Sequence, residues 1–397
     1  MSKLLEKINN IKRKKYSIKD LGRIITGKTP SKNNPEDWGN EIDFITPTDF
    51  SSESKYLSYV KRKISSEGKA RYKNMVIPPK SIIVTCIGSD MGKVIVSQRT
   101  SLTNQQINSI IINQDCFDVD FIYYTLKSMY PTLRSIAEEG GSTMPIITKS
   151  VFEKINFEAP DISIQKKIAS LLNIYDEKIE NNNKIIKNLE AMAQNIFNEW
   201  FVNFKFPGYE KVKIINNELG DTPEKWEVKN LNSVSDIVFG FNFKSNLFNE
   251  SGLGVPVVRI RDILSGVTKT FSPEIPEAEY EIKSGDLLIG MDGIFHYAFW
   301  YSEGAFLNQR VARVRSDLPG YFIYEAIKEQ LNFLQKTIIG ATVGHLSNGD
   351  IRGFRILIPK EISLLQVFEN ITKEVLVLRK ENTSLNSQRD QLLVKLI

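Results

Sequence analysis

Two long stretches of the chain, residues 164–200 and 364–396, carry apolar residues at the alternating three- and four-residue spacing of a coiled-coil seam, which the first stretch interrupts with one extra residue between Tyr175 and Ile179. Neither stretch contains Pro or Gly, so each predicts one uninterrupted helix. Asn182 and Asn382 lie near the midpoints of the two seams. If the helices pair antiparallel, these two side chains meet and fix the register. The alternative is two separate surface helices, each of which would expose a long apolar stripe.

The segments that precede the two helices contain β-type alternating runs that recur in the same order. IDFITPTDF (42–50) aligns with VPVVRIRDI (255–263), and SIIVTCIGSDMG (81–92) aligns with GDLLIGMDG (285–293). The further matching blocks are LTNQQINSIII (102–112) with FLNQRVARVR (306–315), DFIYYTLK (120–127) with YFIYEAIK (321–328), and GGSTMPIITKSVFEKINFEAP (140–160) with GATVGHLSNGDIRGFRILIP (340–359). Five blocks in one order predict a duplicated unit that mixes strands with a few helices.

The predicted fold class is therefore α+β, with two duplicated domains separated and joined by a pair of long antiparallel coiled-coil helices. DTPEKWEVKNL (221–231) has the character of a domain start in mid-chain and parallels KKYSIKDL (14–21) near the N-terminus. The predicted organisation is an N-terminal segment at 1–15, a first domain at 16–160, a central helix at 161–206, a second domain at 207–362 and a C-terminal helix at 363–397.

Composition narrows the class of protein. The chain has 397 residues, of which 41% are hydrophobic and 25% charged, as in a core-forming protein with more than one domain. Its net charge of +5 permits a polyanionic partner without requiring one. The two cysteines, Cys86 and Cys116, form no disulfide framework. No apolar run approaches the roughly 20 residues of a membrane span, and the N-terminus lacks a signal-peptide core, so we expect a cytoplasmic protein.

The usual catalytic motifs are missing from the sequence. His296 and His345 are the only histidines, and they have no metal-ligand spacing to either cysteine. GSDMGKV (88–94) is one residue short of a phosphate-binding loop and has Val94 where Ser or Thr contacts Mg²⁺. There is no dinucleotide fingerprint, no Gly-x-Ser-x-Gly elbow and no Asn-Pro-Pro-aromatic motif of an amino-methyltransferase. We therefore expect no catalytic residue, no metal site and no bound cofactor in this chain.

Polar, basic loops at the ends of the β-runs are instead the candidate binding surfaces. Arg, Lys and Asn side chains can contact base edges or phosphates of double-stranded DNA, which gives a salt-dependent affinity. The alternative for any single residue is a solvated loop position. The candidate DNA-binding residues are Lys28, Thr29, Ser31, Lys32, Asn33, Arg62, Lys63, Lys69 and Arg71 in the first domain and Asn242, Lys244, Arg259 and Arg261 in the second.

This arrangement resembles the specificity subunit of Type I restriction-modification systems over almost the whole chain. The resemblance is carried by ITGKTPSKN, IDFITPTDF, GGSTMPIITKSVF and the Pro160 to Gln165 helix entry, and above all by the join of IFNEWFVNFKFPGYE to LGDTPEKWEVKNL. The second copy departs from the pattern at FGFNFKSN (239–246), which lacks the Gly-x-Thr-Pro of the first. Such a departure is expected if the two domains read different DNA sequences.

The resemblance implies that DNA recognition and catalysis belong to different subunits. Each α+β unit would be a target recognition domain that reads one half of a bipartite, asymmetric DNA site, and the helix pair would set the spacing between the halves. Two modification subunits would carry S-adenosylmethionine and the methylation motif, and restriction subunits would use ATP and Mg. The chain itself would be a non-catalytic specificity subunit that directs these partners to DNA.

Two questions remain open from the sequence. Phe197, Trp200, Phe201 and Phe204 either pack the end of the central helix against the second domain or belong to a docking surface for a methyltransferase subunit. The alternative functions for the whole chain are a stand-alone duplicated DNA methyltransferase with unrecognised motifs and a coiled-coil protein scaffold.

Overall fold

The structure is a computed structural model that describes residues 11–50, 54–57, 59–88, 91–138, 145–217, 220–338 and 344–397. Several sequence predictions fall partly outside these ranges: residues 1–10 of the N-terminal segment, residues 89–90 of the matched block SIIVTCIGSDMG, and residues 140–144 and 340–343 of the last matched block. Contacts divide the chain into two units. The first comprises Met1–Asn181 with Ser384–Ile397, and the second comprises Asn182–Thr383.

The first unit contains nine strands and four short α-helices in its described part. The strands are β1 Lys14–Ser17, β2 Gly22–Thr26, β3 Trp38–Ile45, β4 Arg62–Ile64, β5 Ile82–Thr85, β6 Val94–Val96, β7 Ser101–Thr103, β8 Ile107–Ile112 and β9 Asn156–Ala159. The helices are α1 Ser66–Arg71, α2 Val119–Ser128, α3 Tyr130–Glu138 and α4 Lys149–Lys154. The long helix α5, Ile162–Phe197, begins in this unit.

The described part of the second unit contains twelve strands, which include one additional hairpin, and two α-helices before its long helix. Its strands are β10 Ile214–Asn217, β11 Gly220–Pro223, β12 Glu227–Asn230, β13 Ser235–Phe239, β14 Val255–Val258, β15 Phe271–Ser272, β16 Glu281–Ile282, β17 Leu287–Gly290, β18 Tyr297–Phe299, β19 Ala305–Leu307, β20 Val311–Ser316 and β21 Arg355–Ile358. Its helices are α6 Gly320–Ile338 and α7 Asn348–Arg352, and the long helix α8, Gln366–Leu396, follows β21.

Two sheets of the second unit match sheets of the first, while the remaining sheet has three strands, β4-β3-β7, in the first unit and four, β15-β14-β19-β16, in the second. The four-stranded sheet β2-β8-β5-β6 has its counterpart in β13-β20-β17-β18, and the strand pair β1-β9 has its counterpart in β12-β21. In the remaining sheet of each unit one pair is parallel, β3 with β7 and β14 with β19. The segment DTPEKWEVKNL therefore supplies β12, the equivalent of β1, while its Asp-Thr-Pro belongs to the added hairpin of β10 and β11.

Fully buried strands and amphipathic helices supply the core of each unit. In the first, Ile82 and Val84 of β5 pack with Phe121 and Ile122 of α2. Helix α2 begins where the side chain of Asp118 accepts a hydrogen bond from the N–H of Phe121, which satisfies one free donor of the first turn. In the second unit, β17 and α6 contribute in the same way to a core that also contains residues of both long helices.

The two long helices pair antiparallel within each unit. In the second unit, Nδ2 of Asn182 lies 2.9 Å from Oδ1 of Asn382, the contact that the antiparallel seam predicts. Glu190, further along α5, lies beside Arg379, which is earlier on α8. Residues later in α5 thus contact residues earlier in α8, which shows that the two helices run antiparallel. The predicted α+β class with a pair of antiparallel coiled-coil helices is confirmed.

The start of α5 is anchored by one buried glutamine. Gln165 is 1% exposed, and its Nε2 donates to the carbonyl of Pro160 at 2.9 Å. Its Oε1 accepts the N–H of Asp118 at 2.9 Å. The Pro-x-x-x-x-Gln pattern therefore joins the beginning of α5 to the beginning of α2. Within the described ranges, no helix is both long enough and apolar enough to cross a membrane.

Candidate nucleic-acid interface

In the first unit, the polar loop after β2 is held at the carboxyl ends of the parallel strands β3 and β7. The N–H of Gly27 donates to the carbonyl of Ile107 at 3.1 Å, and the N–H of Lys28 donates to the carbonyl of Thr103 at 2.8 Å. A Cβ on Gly27 would lie 2.2 Å from that Thr103 oxygen. Only glycine allows this approach, so the loop leaves the sheet at a defined point.

The same backbone hydrogen bonds, here called the frame, hold the corresponding loop of the second unit. The N–H of Gly240 donates to the carbonyl of Val311 at 3.0 Å, and the N–H of Phe241 donates to that of Leu307 at 2.9 Å. A Cβ on Gly240 would lie 2.0 Å from the carbonyl oxygen of Asn308. Phe241 therefore stands where the first unit has Lys28, although FGFNFKSN and ITGKTPSKN differ in sequence.

The turn after the second parallel strand completes each frame. The N–H of Asn104 donates to the carbonyl of Ile45 at 3.0 Å, and the N–H of Asn308 donates to that of Val258 at 3.1 Å. Because parallel strands end at one edge of a sheet, the loops that follow them meet there. The Asn-Gln pair shared by the two repeats thus marks one side of a loop cluster in each unit.

Five of the predicted DNA-binding residues lie on the first loop of this cluster. The hydroxyl of Thr29 donates to Oε1 of Gln105 at 2.7 Å, which ties the loop to the Asn-Gln turn. Oγ of Ser31 accepts the N–H of Asn33 at 3.2 Å. Lys28, Lys32 and Asn33 are exposed. These side chains are available to a ligand at the sheet edge.

The basic segment that follows in the first unit is partly neutralised within the protein. The guanidinium of Arg62 lies over the ring of Phe44, 4.9 Å from its centroid. Lys63 Nζ lies 3.9 Å from Asp43, and Lys69 Nζ lies 3.4 Å from Glu41. Carboxylates on the neighbouring strand β3 therefore offset part of the positive charge that the sequence suggests.

Arg71 is the most strongly paired member of that segment. Its Nη2 lies 3.0 Å from Glu36, and its Nε lies 3.3 Å from Asp37, whose side chain has no exposed area. A buried carboxylate requires such a partner. Arg71 thus stabilises the turn between the polar loop and β3, a role that the basic run alone does not reveal.

In the second unit, two of the predicted residues are exposed and two arginines are engaged by neighbouring side chains. Asn242 and Lys244 are exposed, and the backbone N–H of Lys244 donates to Oε2 of Glu274 at 2.9 Å. The guanidinium of Arg259 lies 5.5 Å from the ring centroid of Phe248. Nη2 of Arg261 donates to the hydroxyl of Thr270 at 3.1 Å.

Arg259 and Arg261 line one cleft of about 520 Å³ with residues that were not among the predicted DNA-binding residues. These residues are Ile260, Asp292, Ile294, His296, Asn308 and Arg310. The available signal was the repeat itself, since FLNQR places Arg310 where LTNQQ has Gln106. The structure thus brings three arginines, Arg259, Arg261 and Arg310, together with the carboxylate of Asp292 at the loop cluster of the second unit.

The described residues contain no cluster of three or more His, Cys, Asp or Glu side chains that could hold a metal ion. Cys86 is buried, and burial raises the pKa of its thiol to about 12. A thiol with such a pKa is not a nucleophile near neutral pH. The chemistry at the loop clusters is that of hydrogen bonding and charge.

The aromatic residues at the end of α5 contribute to the core of the second unit. Phe201 is 6% exposed, and its ring centroid lies 5.0 Å from that of Phe322 and 5.1 Å from that of Trp226. Phe197 stacks on Phe201 at 5.2 Å. Trp200 and Phe204 are partly buried against the same core. Their packing accounts for the aromatic run; a docking role stays a prediction.

Comparison with known proteins identifies relatives of the whole chain. The sequence profile described as Type I restriction modification DNA specificity domain matches residues 10–191 and 223–374. The chain is 28% identical to the Type I restriction enzyme MjaIX specificity subunit of Methanocaldococcus jannaschii, over 96% of this chain and 91% of the relative. It is 36% identical to the Type I restriction enzyme EcoBI specificity subunit of Escherichia coli, over 40% of this chain and 34% of the relative.

The fold has a counterpart among solved structures. The S subunit of a Type I restriction-modification system from M. genitalium superposes with a TM-score of 0.53 at 17% identity, over 98% of this chain and 97% of that one. This likeness concerns the architecture of the two chains.

Proposed function

This chain belongs to the Type I restriction modification DNA specificity domain family, and on that premise we propose that it selects a bipartite, asymmetric DNA site, one half per unit. In keeping with the family, the chain is a non-catalytic recognition component. The observation that carries the proposal is the loop cluster built twice on one backbone frame with different side chains. Two loop clusters with the same backbone hydrogen bonds but different side chains are suited to the recognition of two different DNA sequences.

The same premise assigns the reactions to partner subunits. The proposed partners are two modification subunits, which would bind S-adenosylmethionine and methylate the DNA, and restriction subunits, which would use ATP and Mg. Duplication supports two modification subunits, because a surface that binds one in the first unit has a counterpart in the second. The helix pair would act as the spacer that sets the number of unread base pairs.

The polar and basic residues of the loop clusters would contact DNA in two ways. Lys28, Lys32 and Lys244 are exposed cations suited to phosphates, whose neutralisation releases counterions and makes the affinity fall with salt. Asn33 and Asn242 present amides that can pair with adenine. Arg62, Lys63, Lys69 and Arg71 would contribute less, since carboxylates or aromatic rings already engage them.

The test is methylation mapping of DNA from cells that express the modification subunits with or without this chain. The proposal expects methylation at one motif with two separated specific halves, and only when the chain is present. Methylation without the chain, or at a single uninterrupted motif, would contradict it. Methyl transfer by the purified chain with S-adenosylmethionine would favour a stand-alone methyltransferase. DNA-independent assembly without sequence preference would favour a scaffold.

A further inference from the structure

The two loop clusters share backbone contacts beyond the Asn-Gln turn. In the first unit, the N–H of Cys86 donates to the carbonyl of Gln106, and the N–H of Ile147 donates to that of Cys86, both at 2.8 Å. One isolated bridge of the antiparallel type joins Ile87 to Ile146. These contacts define three neighbouring positions, 87, 106 and 146, on one surface of the unit.

The second unit repeats these contacts with other side chains. The N–H of Met291 donates to the carbonyl of Arg310 at 3.0 Å, and the N–H of Leu346 donates to that of Met291 at 2.8 Å. An isolated bridge joins Asp292 to His345. On one frame, therefore, two isoleucines and a glutamine are replaced by an aspartate, a histidine and an arginine.

The three side chains that the second unit places on this frame contact one another. Nδ1 of His345 lies 2.5 Å from Oδ1 of Asp292, Nε of Arg310 lies 3.3 Å from Oδ2 of Asp292, and Nη1 of Arg310 lies 3.3 Å from Nε2 of His345. A guanidinium can only donate, so Nε2 of the imidazole must accept. Nδ1 then carries the proton that is donated to the carboxylate of Asp292.

This cluster holds the arginine but does not bury it. The side chains of Arg310, Asp292 and His345 are 44%, 34% and 47% exposed. Nε of the guanidinium lies next to Asp292 and Nη1 lies next to His345, whereas Nη2 has no hydrogen-bond partner within the described part of the chain. Arg259 and Arg261 line the same cleft. The result is a guanidinium that is held in one orientation at the edge of the cleft lined by Arg259 and Arg261.

We propose that Arg310 reads a guanine in the half-site of the second unit, with Asp292 and His345 as positioning residues. The inference rests on the proposed function and deepens it. Guanine presents two acceptors, O6 and N7, in the major groove, and two parallel N–H groups of arginine match them. Holding the guanidinium in place reduces the side-chain entropy lost on binding.

The first unit argues for a role in specificity and against a role in folding. Its frame forms the same backbone hydrogen bonds with Gln106, Ile87 and Ile146, so the charged cluster is not needed to build it. In that unit Oε1 of Gln106 accepts from Nδ2 of Asn104 at 2.9 Å. Side chains that differ on an identical frame are the expected determinants of two different half-sites.

The experiment selects bound sequences from a randomised DNA library with the full chain assembled with its modification subunits. R310Q introduces the residue of the first unit, and R310K keeps the charge but removes the paired donors. D292N removes the negative charge that lies next to Nε of Arg310. K360Q is the charge-matched control, because Lys360 is exposed and lies outside the cleft. We expect R310Q and R310K to lose roughly 10- to 100-fold of the preference for guanine at one position of one half-site.

The other outcomes distinguish recognition of guanine from a structural or phosphate-binding role of Arg310. D292N should lower the same preference to a smaller extent, and K360Q and the other half-site should match wild type. R310K should keep the wild-type salt dependence while losing the preference, which a structural or phosphate-binding role would not produce. Unchanged preferences in R310Q and R310K, or an equal loss for all sequences, would overturn the inference and leave the bipartite site intact. Absence of two half-sites in wild type would instead defeat the proposed function.

Discussion

Replacing Asp176 by leucine is expected to destabilise the first unit by about 3–5 kcal/mol, because it removes the partner of a buried cation. Nη1 of Arg389 on α8 lies 2.6 Å from Oδ1 of Asp176 on α5, and the two side chains are 3% and 11% exposed. Asp390, the other carboxylate near Arg389, is 57% exposed. Its charge is screened by water and compensates Arg389 only in part.

Removing both charges should restore most of the stability. In the double variant D176L/R389M an apolar pair replaces the ion pair, a change that is neutral or stabilising by about 1–4 kcal/mol in comparable buried sites. The hydroxyl of Tyr124 loses Asp176, 2.5 Å away, but keeps Oδ1 of Asn173 at 3.0 Å as an acceptor. The coupling between the two substitutions should therefore be large and favourable.

Urea denaturation of wild type, both single variants and the double variant measures this coupling as the difference in free energy of unfolding. E138A is the control, since the Arg134–Glu138 pair is exposed and should be worth about 0.3–0.5 kcal/mol. A D176L variant as stable as E138A would refute the reasoning. So would a double variant that loses the sum of the single losses.

Three further predictions follow from the structure. G240A should destabilise the second unit by about 1–3 kcal/mol and weaken selection of one half-site, because its Cβ would lie 2.0 Å from the carbonyl oxygen of Asn308. Denaturation and sequence selection test this prediction, and wild-type behaviour in both assays would contradict it. At pH 8 a thiol reagent should modify exposed Cys116 quickly and leave buried Cys86, whose thiol has a pKa of about 12, unmodified until the chain unfolds; two fast equivalents would contradict this. Inserting one heptad into both α5 and α8 should lengthen the unread spacer by roughly 10 Å, or about three base pairs, without altering either half-site; methylation mapping that finds an unchanged spacer would count against the spacer role.

The elements that the sequence predicted well are those with local signals. The spacing of apolar residues in α5 and α8 predicts helices whatever they contact, and Asn182 and Asn382 stand out because polar residues interrupt a seam. The duplicated blocks predict equal topology, because similar alternation and turn residues build similar strands. The second unit nevertheless adds the hairpin of β10 and β11, which has no counterpart in the first copy and hence no repeat signal.

The candidate surface was harder to predict, since it depends on contacts between distant positions. The basic run of the first unit contains Arg71, yet its buried partner Asp37 lies 34 positions earlier. Arg310 lies inside a matched block and is noticeable only beside Asp292 and His345, which two other loops supply. Charge along the chain indicates where cations are, whereas the fold decides which of them remain available to DNA.

The most direct test of one half-site per unit exchanges residues 16–160 for those of a relative with a different specificity. Methylation mapping with the native modification subunits then reports both half-sites. Recognition by separate units predicts that one half changes to that of the donor, while the other half and the spacer stay as in wild type. A change in both halves, or in neither, would contradict the account.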